Sequence, residues 1–478
     1  MTNNLTMLTD LYQLTMMNGY YKKGLHNNTA VFDIFFRKNV CDGGYTIICG
    51  IEEVVKYIEN LHYEDSDLEY LRSLNLFDED FLSFLKDFKF TGDIYAVEDG
   101  TVMFPGEPVL VVKAPLYQAQ LIETAMLSIV NFMSLIATKS SRVCNAAQGD
   151  PVLEFGLRRA QGPEAGLYGA KAAIIGGCKG TSNVLAGKLF NVLVSGTHAH
   201  SWVQKFDTEL EAFRAYADIY PDSCLLLIDT YDVLNSGIKN AITVFNELRA
   251  KGHEPLGVRL DSGDLTYLSR EVRRILDEAG FENVKITASN DLDEYTITSL
   301  KQEGAKIDSW GVGTKLITSY DYPSLGGVYK LAAATNSEGL LVPKIKISEN
   351  PEKINNPGFK KVVRIYNENG KAEADLIMLV DEKIDESKTL EIFDPVYTWK
   401  TKQFEKFSLR EVLSPLFKDG KCVREGKTIQ EVTEYTQREL DSLWNQHKRI
   451  KNPHIYKVDL SEGLWKMKQE MIASKKIK

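Results

Sequence analysis

The chain has 478 residues, a formal net charge of −9 and a hydrophobic content of 44%. This length exceeds what a single compact core supports, so two or three domains are expected. The composition is typical of soluble globular proteins, and the acidic balance argues against a nucleic-acid partner, although it allows a local basic pocket for a phosphorylated small molecule.

The sequence shows no sign of membrane targeting or of a disulfide framework. The N-terminus lacks the basic segment of a signal peptide, and no apolar run approaches the ~20 residues that span a bilayer. The six cysteines are scattered without a C-x-x-C pair, which favours thiols in a reducing compartment over disulfides or a zinc site. We therefore expect a cytoplasmic protein with no membrane partner.

The N-terminal region, residues 1–125, predicts an α+β domain. Helical patterns cover residues 8–20, 52–60 and 78–88, and strand-like runs cover 30–37, 94–97 and 109–113. A long and largely apolar helix with at most one break is predicted over residues 118–147, and a Gly-Asp-Pro turn at 149–151 ends it.

The central region, residues 126–345, predicts an α/β barrel because short apolar runs alternate with helical patterns. This alternation predicts a parallel sheet, and seven strands in series favour an irregular (β/α) barrel of about seven strands. An open, doubly wound sheet is the alternative. The predicted strands lie at residues 152–155, 192–194, 225–228, 256–260, 284–288, 307–310 and 327–331.

The remaining residues, 346–478, predict a smaller C-terminal domain. A polar loop over 348–361 precedes two antiparallel strands at 361–366 and 375–380, and a helix is predicted over 429–444. The basic residues 475–478 are expected to form a solvated end.

Polar residues follow six of the seven strands predicted for the barrel, while the amino ends of those strands mostly lack them. The active site of an α/β barrel lies at the carboxyl ends of its strands, so this asymmetry predicts an enzyme. The segments concerned are residues 154–161, 196–200, 229–232, 259–264, 289–291 and 311–315.

Several of these residues also have ordinary structural explanations. Asp264 is best explained as the N-cap of the next helix, whereas Asp261 is better placed to hold a sugar hydroxyl or Mg²⁺. The glycine-rich turn at 311–315 could be a plain turn, although its position after a late strand favours a phosphate cradle. The pair His198 and His200 raises the alternative of a metallohydrolase, but His253, the only other histidine of this region, precedes its strand.

Taken together, these motifs resemble those of the nicotinate phosphoribosyltransferase family over nearly the whole chain. The resemblance rests on TDLY at 9–12, FGLRRAQG at 155–162, SNVLAG at 182–187, GTHAHS at 196–201, VRLDSGD at 258–264, SN at 289–290, GVGT at 311–314 and PEK at 351–353. It implies that nicotinate reacts with 5-phosphoribosyl 1-pyrophosphate to give nicotinate mononucleotide and pyrophosphate in NAD salvage. It also implies coupling to ATP hydrolysis, a requirement for Mg²⁺ and a homodimer with shared active sites.

The resemblance assigns roles to individual residues. It implies that His200 is phosphorylated by ATP, that Arg259 and Thr197 hold nicotinate, and that Asp261 contributes to catalysis and to Mg²⁺ binding. Phe155 would form one wall of the ring pocket, and Tyr12 from a second subunit would stack on the ring. The residues implied to hold ribose and phosphate are Arg158, Asp261, Ser289, Asn290, Gly313 and Thr314.

Residue 182 helps to choose between the acid and the amide as substrate. Similar nicotinamide enzymes carry an aspartate after the Lys-Gly-Thr found here at 179–181, whereas this chain has Ser182. An aspartate would repel a carboxylate ligand, so serine favours nicotinate. A non-catalytic sensor of pyridines or nucleotides is the alternative outside enzymes.

Overall fold

The computed structural model describes residues 4–350 and 353–474, which form two compact units. The first unit comprises residues up to 135 together with those from 324 onward, and the second comprises 136–323. Pro351 and Glu352 of the PEK motif, and the basic tail 475–478, lie outside the described residues.

The helices begin and end close to the predicted positions in most of the regions named above. Their bounds are α1 Leu11–Lys22, α2 Ile51–Glu59, α3 Asp65–Ser73, α4 Glu79–Lys86, α5 Leu116–Leu121, α6 Glu123–Ala146, α7 Pro163–Ile175, α8 Val184–Phe190, α9 His200–Lys205, α10 Glu209–Ile219, α11 Ile238–Ala250, α12 Leu265–Glu278, α13 Glu294–Gln302, α14 Thr314–Ile317, α15 Ile429–Ser442 and α16 Glu462–Ser474. The long helix predicted over 118–147 is indeed broken once, at Ile122.

The strands belong to several sheets. Their bounds are β1 Thr29–Phe35, β2 Thr46–Ile47, β3 Asp93–Ala96, β4 Val102–Met103, β5 Leu110–Pro115, β6 Val152–Glu154, β7 Gly180–Thr181, β8 Leu225–Leu227, β9 Gly257–Leu260, β10 Lys285–Ala288, β11 Ser309–Val312, β12 Val328–Thr335, β13 Leu341–Pro343, β14 Lys360–Tyr366, β15 Ala372–Leu379, β16 Leu390–Phe393, β17 Thr401–Phe404, β18 Ser408–Glu411, β19 Ser414–Lys418, β20 Lys421–Cys422 and β21 Val458–Leu460.

The first unit is built on antiparallel strands. One sheet has the order β13-β12-β1-β5-β3-β19-β20, and a second has the order β18-β14-β15-β21. The antiparallel pairing of β14 with β15 confirms the hairpin predicted for the C-terminal region. Val363, Ile365, Leu376 and Met378 pack in a core on one face of these two strands, and Arg364 and Ile377 on the opposite face are buried as well.

The second unit contains a six-stranded parallel sheet in the order β7-β6-β11-β10-β9-β8. Its strands are buried on both faces, as parallel strands covered by helices must be. Asp264 accepts a hydrogen bond from the Tyr267 N–H and caps α12, which confirms the predicted cap. Because all six strands run the same way, their carboxyl ends meet at one edge of the sheet.

The prediction of seven strands in this sheet is wrong in two places. Residues 192–194 contribute only a single parallel bridge, from Val194 to Thr181, and Leu193 beside it is 60% exposed. The strand predicted at 327–331 exists as β12 but pairs antiparallel with β1, so it belongs to the first unit. Conversely, β7 escaped prediction because Gly180–Thr181 is too short and too small to form an apolar run.

Candidate active site

The carboxyl edge of the parallel sheet brings together most of the residues singled out from the sequence. Four of them come directly after a strand: Phe155 after β6, Asp261 after β9, Ser289 after β10 and Gly313 after β11. Asp229 is separated from the end of β8 by one residue. The strand register places Arg259 opposite Leu227 on one side and Thr287 on the other. The asymmetry read from the sequence therefore corresponds to one real edge.

The two histidines of the H-x-H pair have different environments. His198 is buried, and its Nε2 accepts a hydrogen bond from the Leu227 backbone N–H at 3.2 Å. Burial lowers the pKa of His198 to about 4, so its imidazole is neutral near pH 7. The neutral ring then carries its proton on Nδ1, which lies 3.4 Å from the Ala199 carbonyl, so both nitrogens of His198 are engaged with the backbone and the histidine pair that a metallohydrolase would need is not available.

His200 begins α9 and is oriented by the residues at the end of β8. Its Nδ1 lies 3.2 Å from Thr230 Oγ1, and its Nε2 lies 3.8 Å from Asp261 Oδ2 and 4.0 Å from Asp229 Oδ1. The side chain of His200 is 40% exposed. This imidazole thus faces two carboxylates at the open edge of the sheet, where a phosphorylated ligand could reach it.

Asp229 and Asp261 are joined to each other and to Ser289. Asp229 Oδ2 accepts from the Asp261 N–H at 2.9 Å and from the Ser262 hydroxyl at 2.6 Å. The hydroxyl of Ser289 donates to Asp261 Oδ1. The carboxylate of Asp229 is 1% exposed, and its Oδ1 has no hydrogen-bond partner among the described residues.

A cavity of about 680 Å³ has Phe155, Thr197 and Arg259 in its wall. Its lining also includes residues that precede or begin the strands of the sheet, namely Pro151, Lys179, Ser223, Leu256, Lys285 and Asp308. Arg259 donates through Nη2 to the His198 carbonyl at 3.1 Å, while its buried Nε has no partner among the described residues. Burial lowers the pKa of Arg259, and the nearby Asp261 and Asp229 act in the opposite direction. A buried guanidinium with a free donor is suited to a planar carboxylate.

The aromatic wall of this cavity depends on a glycine. A Cβ at Gly311 would lie 2.5 Å from the Phe155 ring, so only glycine leaves room for the ring in its present position. Phe155 is also held through its N–H, which donates to the Val312 carbonyl at 2.8 Å.

The turn after Phe155 is held by a buried carboxylate, Glu154. It accepts from the Gly156 N–H and from the Thr181 hydroxyl, the latter at 2.6 Å. Burial raises the pKa of Glu154, and the hydrogen bonds from Thr181 and Gly156 act in the opposite direction. Arg158 beyond this turn is exposed, and its positive charge contributes to lowering the pKa of Arg259.

The turn that was predicted to cradle phosphate leads into a short helix. Gly313 precedes α14, which begins at Thr314, and a Cβ at Gly313 would lie 3.3 Å from the Phe155 carbonyl. Lys315 pairs with Asp293 at 2.7 Å, so that cation is occupied in stabilising the start of α13. Asn290 adopts a left-handed φ of 110°, which is costly for a residue other than glycine and typical of a functional site.

Tyr12 belongs to the first unit, on α1, and is the one predicted site residue outside the second unit. Its ring is 49% exposed, and its hydroxyl lies 3.5 Å from Glu123 Oε1.

Sequence reasoning placed Asp229 and Thr230 among the polar residues that follow the predicted strands but gave neither an individual role, and it missed Tyr216. Asp229 and Thr230 contact His200, and the signal for them was their position directly after a buried strand. Tyr216 lines the cavity and packs edge-on against the His198 ring, 4.7 Å between centroids. It lies on α10, a helix that was not predicted, so its position could not be inferred.

Comparison with protein families gives matches over most of the chain. Residues 7–131, 151–370 and 359–468 match, respectively, the N-terminal domain of nicotinate phosphoribosyltransferase (NAPRTase), the NAPRTase family, and its C-terminal domain. The chain is 46% identical to a nicotinate phosphoribosyltransferase of Bacillus subtilis (strain 168) over 471 residues, covering 98% of this chain and 96% of the relative. A nicotinate phosphoribosyltransferase of Caenorhabditis elegans is 38% identical, with 96% and 92% covered.

Solved structures agree with this assignment. The crystal structure of human nicotinic acid phosphoribosyltransferase superposes with a TM-score of 0.85 at 29% identity, covering 97% of this chain and 100% of that one. A nicotinate-nucleotide pyrophosphorylase from Pyrococcus furiosus has the same fold, with a TM-score of 0.72 at 22% identity, covering 92% and 96%. The chain therefore belongs to the nicotinate phosphoribosyltransferase family and is a phosphoribosyltransferase enzyme.

Proposed function

We propose that this enzyme joins nicotinate to 5-phosphoribosyl 1-pyrophosphate, releasing pyrophosphate and forming nicotinate mononucleotide for NAD salvage. The observation that carries the proposal is a cavity lined by both Phe155 and Arg259, whose buried Nε has no hydrogen-bond partner among the described residues. A flat, anionic aromatic ring satisfies both features, because its carboxylate pairs with the guanidinium and its face packs on the aromatic side chain.

The reaction depends mainly on positioning nicotinate and 5-phosphoribosyl 1-pyrophosphate relative to each other. The pyridine nitrogen attacks C1 of the ribose, the bond from C1 to the pyrophosphate oxygen breaks, and no proton has to move. Arg259 and Thr197 orient nicotinate, while Asp261, Ser289 and Asn290 hold the ribose. Arg158, Gly313 and Thr314 bind phosphate oxygens. Holding the two reactants in line supplies the effective concentration, and the surrounding donors stabilise the charge on the leaving group.

Asp261 and Asp229 fit a divalent cation. The buried Asp229 Oδ1 has no hydrogen-bond partner among the described residues, and it and Asp261 Oδ2 both approach His200 Nε2. This pair suits Mg²⁺, because the ion typically uses one or two carboxylates and completes its shell with substrate phosphates and water. When bound, Mg²⁺ would neutralise charge on the departing pyrophosphate.

His200 is the proposed site of coupling to ATP. The γ-phosphoryl group passes from ATP to an imidazole nitrogen, so that an N–P bond forms, the bond to ADP breaks and the imidazole loses a proton. Thr230 fixes the orientation of the ring, and water later releases phosphate from it. A phosphorylated imidazole beside the pyrophosphate subsite would link ATP cleavage to substrate binding or to forward reaction.

A homodimer with shared active sites completes the proposal. The α1 region exposes an apolar surface formed by Leu8, Leu11, Tyr12 and Met16, which is 37–50% exposed residue by residue. Exposed apolar surface of this kind favours burial against another chain. Tyr12 on this surface would stack on nicotinate in the partner subunit.

The six-stranded sheet is proposed to close into an irregular barrel. Support comes from the segment at 193–195, which flanks β7 at the edge of the sheet. The Thr181 N–H donates to the Leu193 carbonyl and the Ser195 N–H donates to the Thr181 carbonyl, each at 3.0 Å. This segment extends the sheet beyond β7 in the direction that closure requires. The domain limits 1–125, 126–345 and 346–478 stay a prediction.

No helix within residues 4–350 and 353–474 is long and apolar enough to cross a bilayer. A cytoplasmic location is part of the proposal.

The experiment that tests substrate and reaction together measures product from 5-phosphoribosyl 1-pyrophosphate and Mg²⁺ with either nicotinate or nicotinamide. Nicotinate mononucleotide from the acid and none from the amide is expected. Product from the amide alone would contradict the proposed specificity. Binding of either base without any product would favour a sensor.

A further inference from the structure

Helix α1 is held against the junction of α5 and α6 by buried polar side chains. Gln13 is fully buried, and its Nε2 donates to Glu123 Oε2 at 2.9 Å. Gln120, 3% exposed, donates to Gln13 Oε1. Buried amides that satisfy each other in this way fix one arrangement, because any shift leaves polar atoms without partners. The start of α1 is therefore held in a defined position at Glu123.

The second oxygen of Glu123 is directed at the neighbouring residue of α1. The Tyr12 hydroxyl donates to Glu123 Oε1 at 3.5 Å, and the Tyr12 ring is 49% exposed. Successive helical residues point ~100° apart, so one carboxylate reaches both only by lying in the angle between them. Glu123 thus fixes the backbone through Gln13 and limits the rotation of the Tyr12 ring.

The surroundings of Glu123 suit this role. Burial raises the pKa of Glu123, and Gln13, Lys330 and Tyr12 act in the opposite direction. The pKa of Tyr12 is raised first by partial burial and then by Glu123 and Asp10, so the phenol keeps its proton and remains a donor. At 3.5 Å the hydrogen bond between this phenol and the carboxylate is long, so its attraction is mainly electrostatic.

We propose that Glu123 is a positioning residue for nicotinate binding, acting through Tyr12. The inference rests on the proposed function, in which the Tyr12 ring stacks on nicotinate bound to the partner subunit. A ring already held in one orientation loses less conformational entropy when the substrate binds. Loss of the contact between Glu123 and Tyr12 should therefore weaken nicotinate binding without changing the positions of the reacting atoms.

The test is a double-mutant cycle of Glu123→Gln and Tyr12→Phe, with KM and kcat measured for each substrate. Glu123→Gln should raise the nicotinate KM by roughly 3- to 10-fold, while kcat and the KM for the phosphoribosyl donor change less than about twofold. Tyr12→Phe should have a similar effect, and the double variant should add little to either. Tyr12→Ala removes the ring and should raise the nicotinate KM more than any of these three variants.

A matched control separates positioning of the ring from anchoring of the helix. Thr124 donates to Asp10 Oδ2 at 3.0 Å and ties α1 to α6 without touching Tyr12. Thr124→Val should leave the nicotinate KM near the wild-type value. An effect of Thr124→Val equal to that of Glu123→Gln, additive effects in the cycle, or an unchanged KM in Glu123→Gln would each overturn the inference. Wild-type enzyme that makes no product from nicotinate would instead overturn the proposed function.

Discussion

The Nε2 atom of His198 accepts a hydrogen bond from the Leu227 backbone N–H at 3.2 Å. This bond gives the first histidine of the pair a structural role, and it leaves the second, His200, as the imidazole that faces Asp229 and Asp261. Spacing alone treats the two histidines alike, so this difference in environment is the physical reason for proposing His200 as the residue that ATP phosphorylates.

Replacing the two histidines should produce different defects. His200→Ala should abolish the stimulation of product formation by ATP while the melting temperature stays within a few degrees of wild type. His198→Ala should lower the free energy of unfolding by about 1–3 kcal/mol, because a buried N–H loses its acceptor. Thermal unfolding and rates with and without ATP distinguish them. ATP stimulation that survives in His200→Ala would remove this residue from the coupling step.

His198 should also make the stability depend on pH. Its pKa of about 4 in the folded protein lies below the ordinary value of 6.5, so the unfolded chain binds the proton more readily. The contribution of neutral His198 to the free energy of unfolding is therefore fully present above pH 6.5. It is lost as the pH falls toward 4, and its size is on the order of 3 kcal/mol. His198→Gln, which keeps an acceptor for Leu227 but cannot titrate, should unfold with a shallower pH dependence. If the free energy of unfolding had the same pH dependence in wild type and in His198→Gln, this prediction would be contradicted.

Arg259 should be required for nicotinate. Arg259→Lys should lower kcat/KM for nicotinate by roughly 10- to 100-fold, because a point charge replaces a planar pair of donors and a charged hydrogen bond is worth about 1.5–3 kcal/mol. Steady-state kinetics provides the measurement. Arg274→Ala, on the exposed side of α12, is the control and should behave as wild type. Unchanged kinetics in Arg259→Lys would place the carboxylate elsewhere.

Even the smallest side chain at position 311 should impair the reaction with nicotinate. Gly311→Ala places a Cβ 2.5 Å from the Phe155 ring, so the ring must move into the cavity and the pocket for nicotinate narrows. We expect nicotinate kcat/KM to fall by about tenfold or more, whereas Gly426→Ala, with no atom near its Cβ, should have no effect. Normal nicotinate kinetics in Gly311→Ala would show that this wall of the cavity does not contact the substrate.

Ser182 should influence the choice between acid and amide. Ser182→Asp places a carboxylate after β7, where it should repel the acid. We expect the ratio of kcat/KM for nicotinate over nicotinamide to fall by about tenfold or more. A ratio equal to that of wild type would show that residue 182 does not face the base.

Much of the second unit could be predicted from local pattern. Apolar runs identified β8 to β11, polar residues after them identified the edge where His200, Arg259 and Asp261 meet, and the cap of α12 followed from Asp264. These features depend on neighbours in the chain, which a periodic pattern records directly.

The errors in strand prediction arose where a strand's place in a sheet depends on a partner that is distant in the sequence. The strand β12 continues the spacing of the parallel strands, but its partner is β1, about 300 residues earlier, and nothing local indicates that pairing. The short β7 lacks the apolar residues that mark a strand, and its position depends on β6 and Glu154. The contact of Tyr12 with Glu123 spans 111 residues and is likewise invisible to periodicity.

The most direct test of the central claim measures nicotinate mononucleotide and ADP together, in wild type and in His200→Ala, with nicotinate, 5-phosphoribosyl 1-pyrophosphate, ATP and Mg²⁺. Wild type should form both products in step, and phosphate should appear transiently on a histidine of the peptide containing residue 200. His200→Ala should form nicotinate mononucleotide slowly and no ADP. Substrate-dependent ADP formation by His200→Ala, or nicotinate mononucleotide from wild type at a rate indifferent to ATP, would contradict the account.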